Sequence, residues 1–132
     1  MARDSDDVDE HVERFLPLTP ATFAILLALA GGEKHGYALM QEIATASDGL
    51  LRVGPGTLYH AIKQLRAAGL IAEAGDRPDP ALDDQRRRYY HLTGLGRRVV
   101  AAEAGRLARL VRQADASGLL SGALQPGLGG VR

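Results

Sequence analysis

Apolar residues in this chain recur in three helical blocks, then at strand period, then along one long helical stripe. Phe23, Leu26, Leu27 and Ala30 keep helical spacing behind Thr19-Pro20, where the threonine can cap and the proline takes the first helical position. Gly31-Gly32 closes that block. His35-Gly36-Tyr37 opens a second, shorter helix with Leu39, Met40 and Ile43 as its apolar side, and Ser47-Asp48-Gly49 breaks it. Leu50 to Val53 reads as a short extended piece. The third block spans about Gly56 to Ala68 and stops at Gly69. The pattern then changes: Leu70 to Ala74 reads as a strand, Gly75 to Gln85 as a loop rich in Asp and Pro, and Arg88 to Leu92 as the returning strand, because its tyrosines favour a half-buried pleated surface. A fourth helix starts at Thr93, whose hydroxyl can cap it, and runs to about Ala116.

The order predicts a mainly α fold with a small two-stranded β-wing, that is, a winged helix-turn-helix over residues 15–92 followed by a C-terminal helix over 93–116. Residues 1–14 form an acidic arm, read as mobile and helical only near its end, with order beginning near Phe15. Residues 117–132 alternate Gly and small residues with Leu and read as a flexible tail. The fourth helix is longer than a three-helix core needs. Its apolar positions Leu95, Val99, Leu107, Leu110, Val111 and Ala114 therefore predict a seam with a second copy of the chain, hence a homodimer.

Composition narrows the function classes. The 132 residues suffice for one domain with a modest core. There is no cysteine, so no disulfide framework and no thiolate metal site. The N-terminus lacks the features of a secretion signal and no apolar run approaches the roughly 18 residues of a membrane span, which predicts a cytoplasmic protein without membrane contact. His11, His35, His60 and His91 have no metal-ligand spacing, and the glycines fit no phosphate-cradling enzyme motif. No catalytic residue, metal or cofactor is expected.

Charge changes the picture only when it is resolved along the chain. Sixteen basic residues balance sixteen acidic ones overall. From Arg52 to Arg112, however, twelve Arg and Lys face six Asp and Glu, whereas residues 1–51 hold three basic and nine acidic. The basic excess falls on the third helix and the wing, and local potential is what a phosphate backbone feels.

At about 100° per residue, Leu58, Ala61, Ile62 and Leu65 share the inner face of the third helix. Gly56, His60, Lys63 and Ala67 form the outer face, flanked by Thr57 and Gln64 on one side and Tyr59 and Arg66 on the other. Gly56 lets the helix start approach a phosphate. Thr57 and Tyr59 suit phosphate oxygens, and His60, Lys63 and Gln64 can reach base edges in the major groove. Tyr59 could equally be a packing tyrosine. In the wing, strand alternation sends Arg86 and Arg88 to one face and Arg87 to the other, so the three arginines could grip phosphate or enter a minor groove. They could also pair with the acids of their own loop.

Leu18-Thr19, His35-Gly36-Tyr37, Gly56-Thr57-Leu58-Tyr59, Gly69-Leu70-Ile71 and Tyr89-Tyr90-His91-Leu92-Thr93, in this order, resemble the PadR family of transcriptional regulators over roughly Pro17 to Ala116. The resemblance implies a homodimeric repressor of a double-stranded DNA operator, with the C-terminal helix as dimerisation element and a small-molecule effector, a small aromatic or drug-like cation, that loosens binding. It places DNA-facing positions at Thr57, Tyr59, His60 and Lys63, and backbone contacts at His35, Tyr37 and the wing arginines. Two features depart from the family pattern. Asp83-Asp84-Gln85 precede the arginines where relatives carry glycine, proline and basic residues, and there is no tryptophan to sandwich a planar drug. The single C-terminal helix resembles the shorter subfamily. The competing reading is a winged-helix module whose outer face binds a protein without specific DNA recognition.

Overall fold

The computed structural model describes residues 11–76 and 88–120. Helix α1 (Pro20–Ala30) is followed by a two-residue strand β1 (Lys34–His35), helix α2 (Gly36–Ala46), helix α3 (Pro55–Ala67), strands β2 (Ile71–Asp76) and β3 (Arg88–Leu92), and the long helix α4 (Gly94–Ala116). The helix boundaries follow local chemistry. The Thr19 side chain accepts from Thr22 N, and Pro20 occupies the first turn of α1. The Thr93 hydroxyl accepts from Gly96 N at 3.0 Å.

Helix α3 ends in a Schellman turn. Gly69 N donates to Arg66 O and Leu70 N to Leu65 O at 2.9 Å, with Gly69 at φ 84°, a left-handed conformation that glycine adopts without Cβ strain. The chain leaves this turn directly into β2.

The sheet is three-stranded and antiparallel, in the order β1-β3-β2. The sequence pattern predicts two strands and places His35 at the opening of a helix, because two residues are too few to show a strand period. Lys34 pairs with Tyr90 and His35 with Tyr89, so the wing's returning strand is bonded on one side to β2 and on the other to the entry of α2. On the β2 side the register runs Ile71–Leu92, Ala72–His91 and Glu73–Tyr90, then slips so that Gly75 faces Tyr89. Ala74 is thus the extra residue of a bulge, a device that bends and twists a strand.

One apolar core lies between the helices and the sheet. It joins Ile25, Leu26 and Leu29 of α1, Leu39 and Ile43 of α2, Leu58, Ile62 and Leu65 of α3, Leu70 and Ile71, Tyr90, and Val99 and Val100 of α4. Leu27, which helical spacing groups with Phe23, Leu26 and Ala30, is 52% exposed, whereas Ile25 and Ala28, outside that group, are buried. This helix is apolar nearly all round, so spacing alone does not identify its inner face. Order also begins before Phe15. Residues 11–13 are helical and Val12 is buried at 6% exposure against the core.

Helix α4 divides into two parts. Its first half packs on α1 and β3. Val99 is fully buried there and Leu95 lies partly buried against the same core. These two residues, expected at a dimer seam, therefore belong to the chain's own core. A four-helix arrangement buries them before any partner is needed. Gly96 sits where a Cβ would overlap the backbone carbonyl of Leu70, so α4 enters flush against the start of β2. Beyond Val100, Leu107, Val111 and Ala114 are half-buried and Leu110 is 52% exposed.

Between the two parts lies Glu103, a charged residue with 1% exposure. It accepts from Leu18 N at 3.0 Å and from Arg106 Nε at 2.6 Å and Nη2 at 2.9 Å. The Arg106 guanidinium holds its carboxyl below the usual carboxylate range against the opposing effect of burial, and the Leu18 N–H adds to the lowering. Glu103 thus ties the segment entering α1 to α4.

Candidate nucleic-acid interface

Helix α3 buries Leu58, Ile62 and Leu65 and exposes Gly56, Thr57, His60, Lys63, Gln64 and Ala67. The outer face is therefore populated as its spacing predicts. The Gln64 amide nitrogen lies 3.2 Å from His60 Nε2, so these two polar groups, one turn apart, support each other on that face. Lys63 stands one residue away from this pair.

The start of α3 is open. Helices α1, α2 and α4 each have a side chain accepting a first-turn N–H, from Thr19, His35 and Thr93 respectively. Helix α3 is preceded by Gly54 with no side-chain cap, and its first turn holds no acidic residue. Pro55 has no N–H to offer. The first intrahelical bond comes from Leu58 N to Gly54 O at 2.9 Å. The N–H groups of Gly56 and Thr57 precede it and point outward along the helix axis, an arrangement that attracts an anion. A Cβ at Gly56 would meet nothing within 4 Å, so the approach is unobstructed.

Of the two readings open for Tyr59, phosphate contact and packing tyrosine, the structure shows the packing one. Its hydroxyl is buried, not turned toward solvent, and the ring lies against Gly36 so closely that a Cβ there would overlap it. The tyrosine locks α3 to the first turn of α2. It does so from the flank of the helix, where packing and phosphate contact look alike in sequence.

His35 is likewise occupied structurally. Its Nδ1 accepts from Ala38 N at 3.2 Å, and its ring meets Tyr89 edge-on with centroids 5.2 Å apart. Tyr37, the second residue of α2, is exposed. Arg88 is exposed on β3. Arg86 and Arg87 lie outside the described residues, as do the first ten residues of the acidic arm and the tail from residue 121.

Sequence reasoning missed Glu73. Both Arg66 Nη1, at 3.5 Å, and Arg88 Nη1, at 3.7 Å, reach its Oε2. One carboxylate oxygen thus joins the last turn of α3 to the wing. Exposed pairs of this kind contribute at most about 1 kcal/mol to stability. An open hollow lined by Lys63, Arg66, Ala67, Ile71, Ala72 and Glu73 runs alongside, between α3 and β2. The missed signal was the register: Glu73 faces Tyr90 across the sheet, which makes Arg88 its diagonal neighbour.

Among the described residues no three His, Cys, Asp or Glu side chains gather as a metal site, and no helix is long and apolar enough to cross a membrane.

An outward helix backed by a helical core and flanked by a β-hairpin defines a winged helix-turn-helix. Residues 25–102 match the model of the transcriptional regulator PadR-like family. The chain is 34% identical over 89 residues to Transcriptional regulator Rv3488 of Mycobacterium tuberculosis, covering 67% of this chain and 77% of that protein. It is 38% identical over 90 residues to an uncharacterized 37.1 kDa protein in transposon TN4556 of Streptomyces fradiae, a match that covers 68% of this chain but only 24% of that longer protein. Bacillus subtilis PadR, solved in complex with operator DNA, superposes with a TM-score of 0.55 at 21% identity, over 65% of this chain and 46% of that one, a likeness of fold. The chain belongs to the PadR-like family of transcriptional regulators. That is a family of regulators and not of enzymes.

Proposed function

We propose that this protein is a homodimeric, sequence-specific repressor that reads an operator through α3. The observation that carries the reading is the outer face of that helix: an uncapped start at Gly56 and Thr57, followed by exposed His60, Lys63 and Gln64 on a helix fixed from behind by Leu58, Ile62 and Leu65. The free N–H groups and Thr57 would hold phosphate, which sets register, while His60, Lys63 and Gln64 read base edges. Tyr59 and His35 act indirectly by fixing α3 and the wing to α2. Arg88 supplies wing charge. Tyr37 is proposed as a backbone contact.

The distal half of α4 supplies the proposed dimer contact. Leu107, Leu110, Val111 and Ala114 repeat at helical spacing, and Leu110 is half exposed although α4 is already anchored by Val99 and Val100. A second copy covering this stripe would present two α3 helices to one duplex face. Release by a small-molecule effector rests on family membership alone.

Selection from random duplex DNA with the purified full chain, followed by footprinting, tests this reading. The expected result is a near-palindromic site with half-sites about 10 bp apart, bound with an affinity that falls steeply as salt rises. Absence of any enriched site, together with a protein partner retained on the outer face of α3, would favour the protein-interaction module instead.

A further inference from the structure

Glu73 stands out on the basic side of the molecule. A carboxylate beside a phosphate backbone is repelled unless cations neutralise it, and at this position two arginines from different elements do so. Arg66 comes from the last turn of α3 and Arg88 from β3, and both converge on the same Oε2 at 3.5 and 3.7 Å. These separations are loose for charge-assisted hydrogen bonds, so the guanidiniums are attracted to the carboxylate without being locked to it. All three side chains remain partly exposed, at 45% for Arg66, 30% for Glu73 and 48% for Arg88. The hollow beside them has Lys63 and Arg66 along its α3 wall and Glu73 on its β2 wall.

We propose that Glu73 is a positioning and specificity-setting residue that occupies the place of a DNA phosphate in the free protein. It holds Arg66 and Arg88 aimed across the gap between recognition helix and wing, and it yields them only to a backbone that arrives with both elements correctly seated. A duplex in the wrong register cannot present its phosphate to both guanidiniums, and the carboxylate keeps them. The residue thereby lowers binding to arbitrary DNA more than binding to the operator. This inference rests on the DNA-reading function proposed above and adds a determinant of its selectivity.

The test compares wild type, Glu73→Gln and the double variant Arg66→Gln/Glu73→Gln on the selected operator and on a scrambled duplex of equal length, across a salt series. Glu73→Gln preserves shape and the exposed site tolerates it, so matched melting curves establish the fold. The single variant is expected to bind scrambled DNA about tenfold more tightly at low salt, to narrow the ratio of operator to scrambled affinity, and to steepen the log–log salt slope on the scrambled duplex by about one to two. The double variant should return about half of that steepening. A purely structural Glu73 would leave the salt slope unchanged. If wild type binds its operator and Glu73→Gln leaves slope and ratio unaltered, or weakens both duplexes equally, the clasp is overturned and the DNA reading stands. If wild type binds neither duplex, the DNA reading falls and the clasp falls with it.

Discussion

Helices α3 and α4 begin with similar text, Gly54-Pro55-Gly56-Thr57 and Thr93-Gly94-Leu95-Gly96, yet their glycines meet opposite surroundings. Gly96 is buried with the Leu70 carbonyl in the space a side chain would need. Gly56 is exposed with nothing within 4 Å of a Cβ. The caps differ in the same sense. Thr93 accepts from Gly96 N and donates to Gly69 O at 2.6 Å, closing the start of α4 onto the end of α3. The start of α3 has no such side chain. A glycine at a helix start can therefore serve contact within the chain or leave room for a body outside it, and only packing tells which.

Substituting the two glycines gives the sharpest contrast. Gly96→Ala forces a methyl into backbone and should destabilise by about 3 kcal/mol or more, read as a large drop in Tm. A melting curve like that of wild type would show that the α4 entry is not rigid. The next effect concerns the tie behind that entry. Glu103→Ala leaves Leu18 N–H without its acceptor and should destabilise by about 1 to 3 kcal/mol in urea titrations.

That same carboxylate sets a pH dependence. Its folded pKa lies below the ordinary value of 4.5 because of the Arg106 guanidinium. Its stabilisation is therefore fully present above about pH 4.5 and is lost as pH falls through the lowered folded value. Glu103→Gln should flatten the acid limb of the stability profile in that window, and an unchanged limb would assign acid sensitivity to other groups. Thr93→Ala, which removes one cap, should destabilise by about 1 kcal/mol.

The smallest effect on stability belongs to the open side. Gly56→Ala replaces an exposed helical glycine and should raise stability by up to about 1 kcal/mol while weakening duplex binding, since a methyl then stands before the free N–H groups. Stability and affinity moving in opposite directions would confirm the contrast between the two helices. Unaltered affinity would remove Gly56 from the interface.

Most of the architecture was legible because it is written in local terms. Thr19-Pro20, Gly69 and Thr93 mark helix ends by chemistry that acts within a few residues, and the observed helices start or stop there. The 3.6 period located Leu58, Ile62 and Leu65 without ambiguity. What was not legible depends on distant partners. Strand β1 exists only because Tyr89 and Tyr90 lie beside it. Val99 reads as a free stripe until α1 covers it, and Tyr59 reads equally as a phosphate contact or a packing tyrosine until Gly36 supplies a slot. Glu103 carried a signal that could have been used: it lies four residues after Val99, on the same helical face, with Arg106 one turn on.

The joint at Leu70 has a mechanical consequence. The Leu70 carbonyl accepts from Thr93 N and also faces Gly96, while Leu70 N closes the end of α3. The two helices thus share a hinge with almost no slack. Helix α4 has 23 residues and so extends about 34 Å from that hinge. A tilt of about 10° at the joint displaces its far end by roughly 6 Å. Because Val99, Val100 and Glu103 also hold α4 to the core, a tilt imposed at its far end would move α1 and the core together with α3.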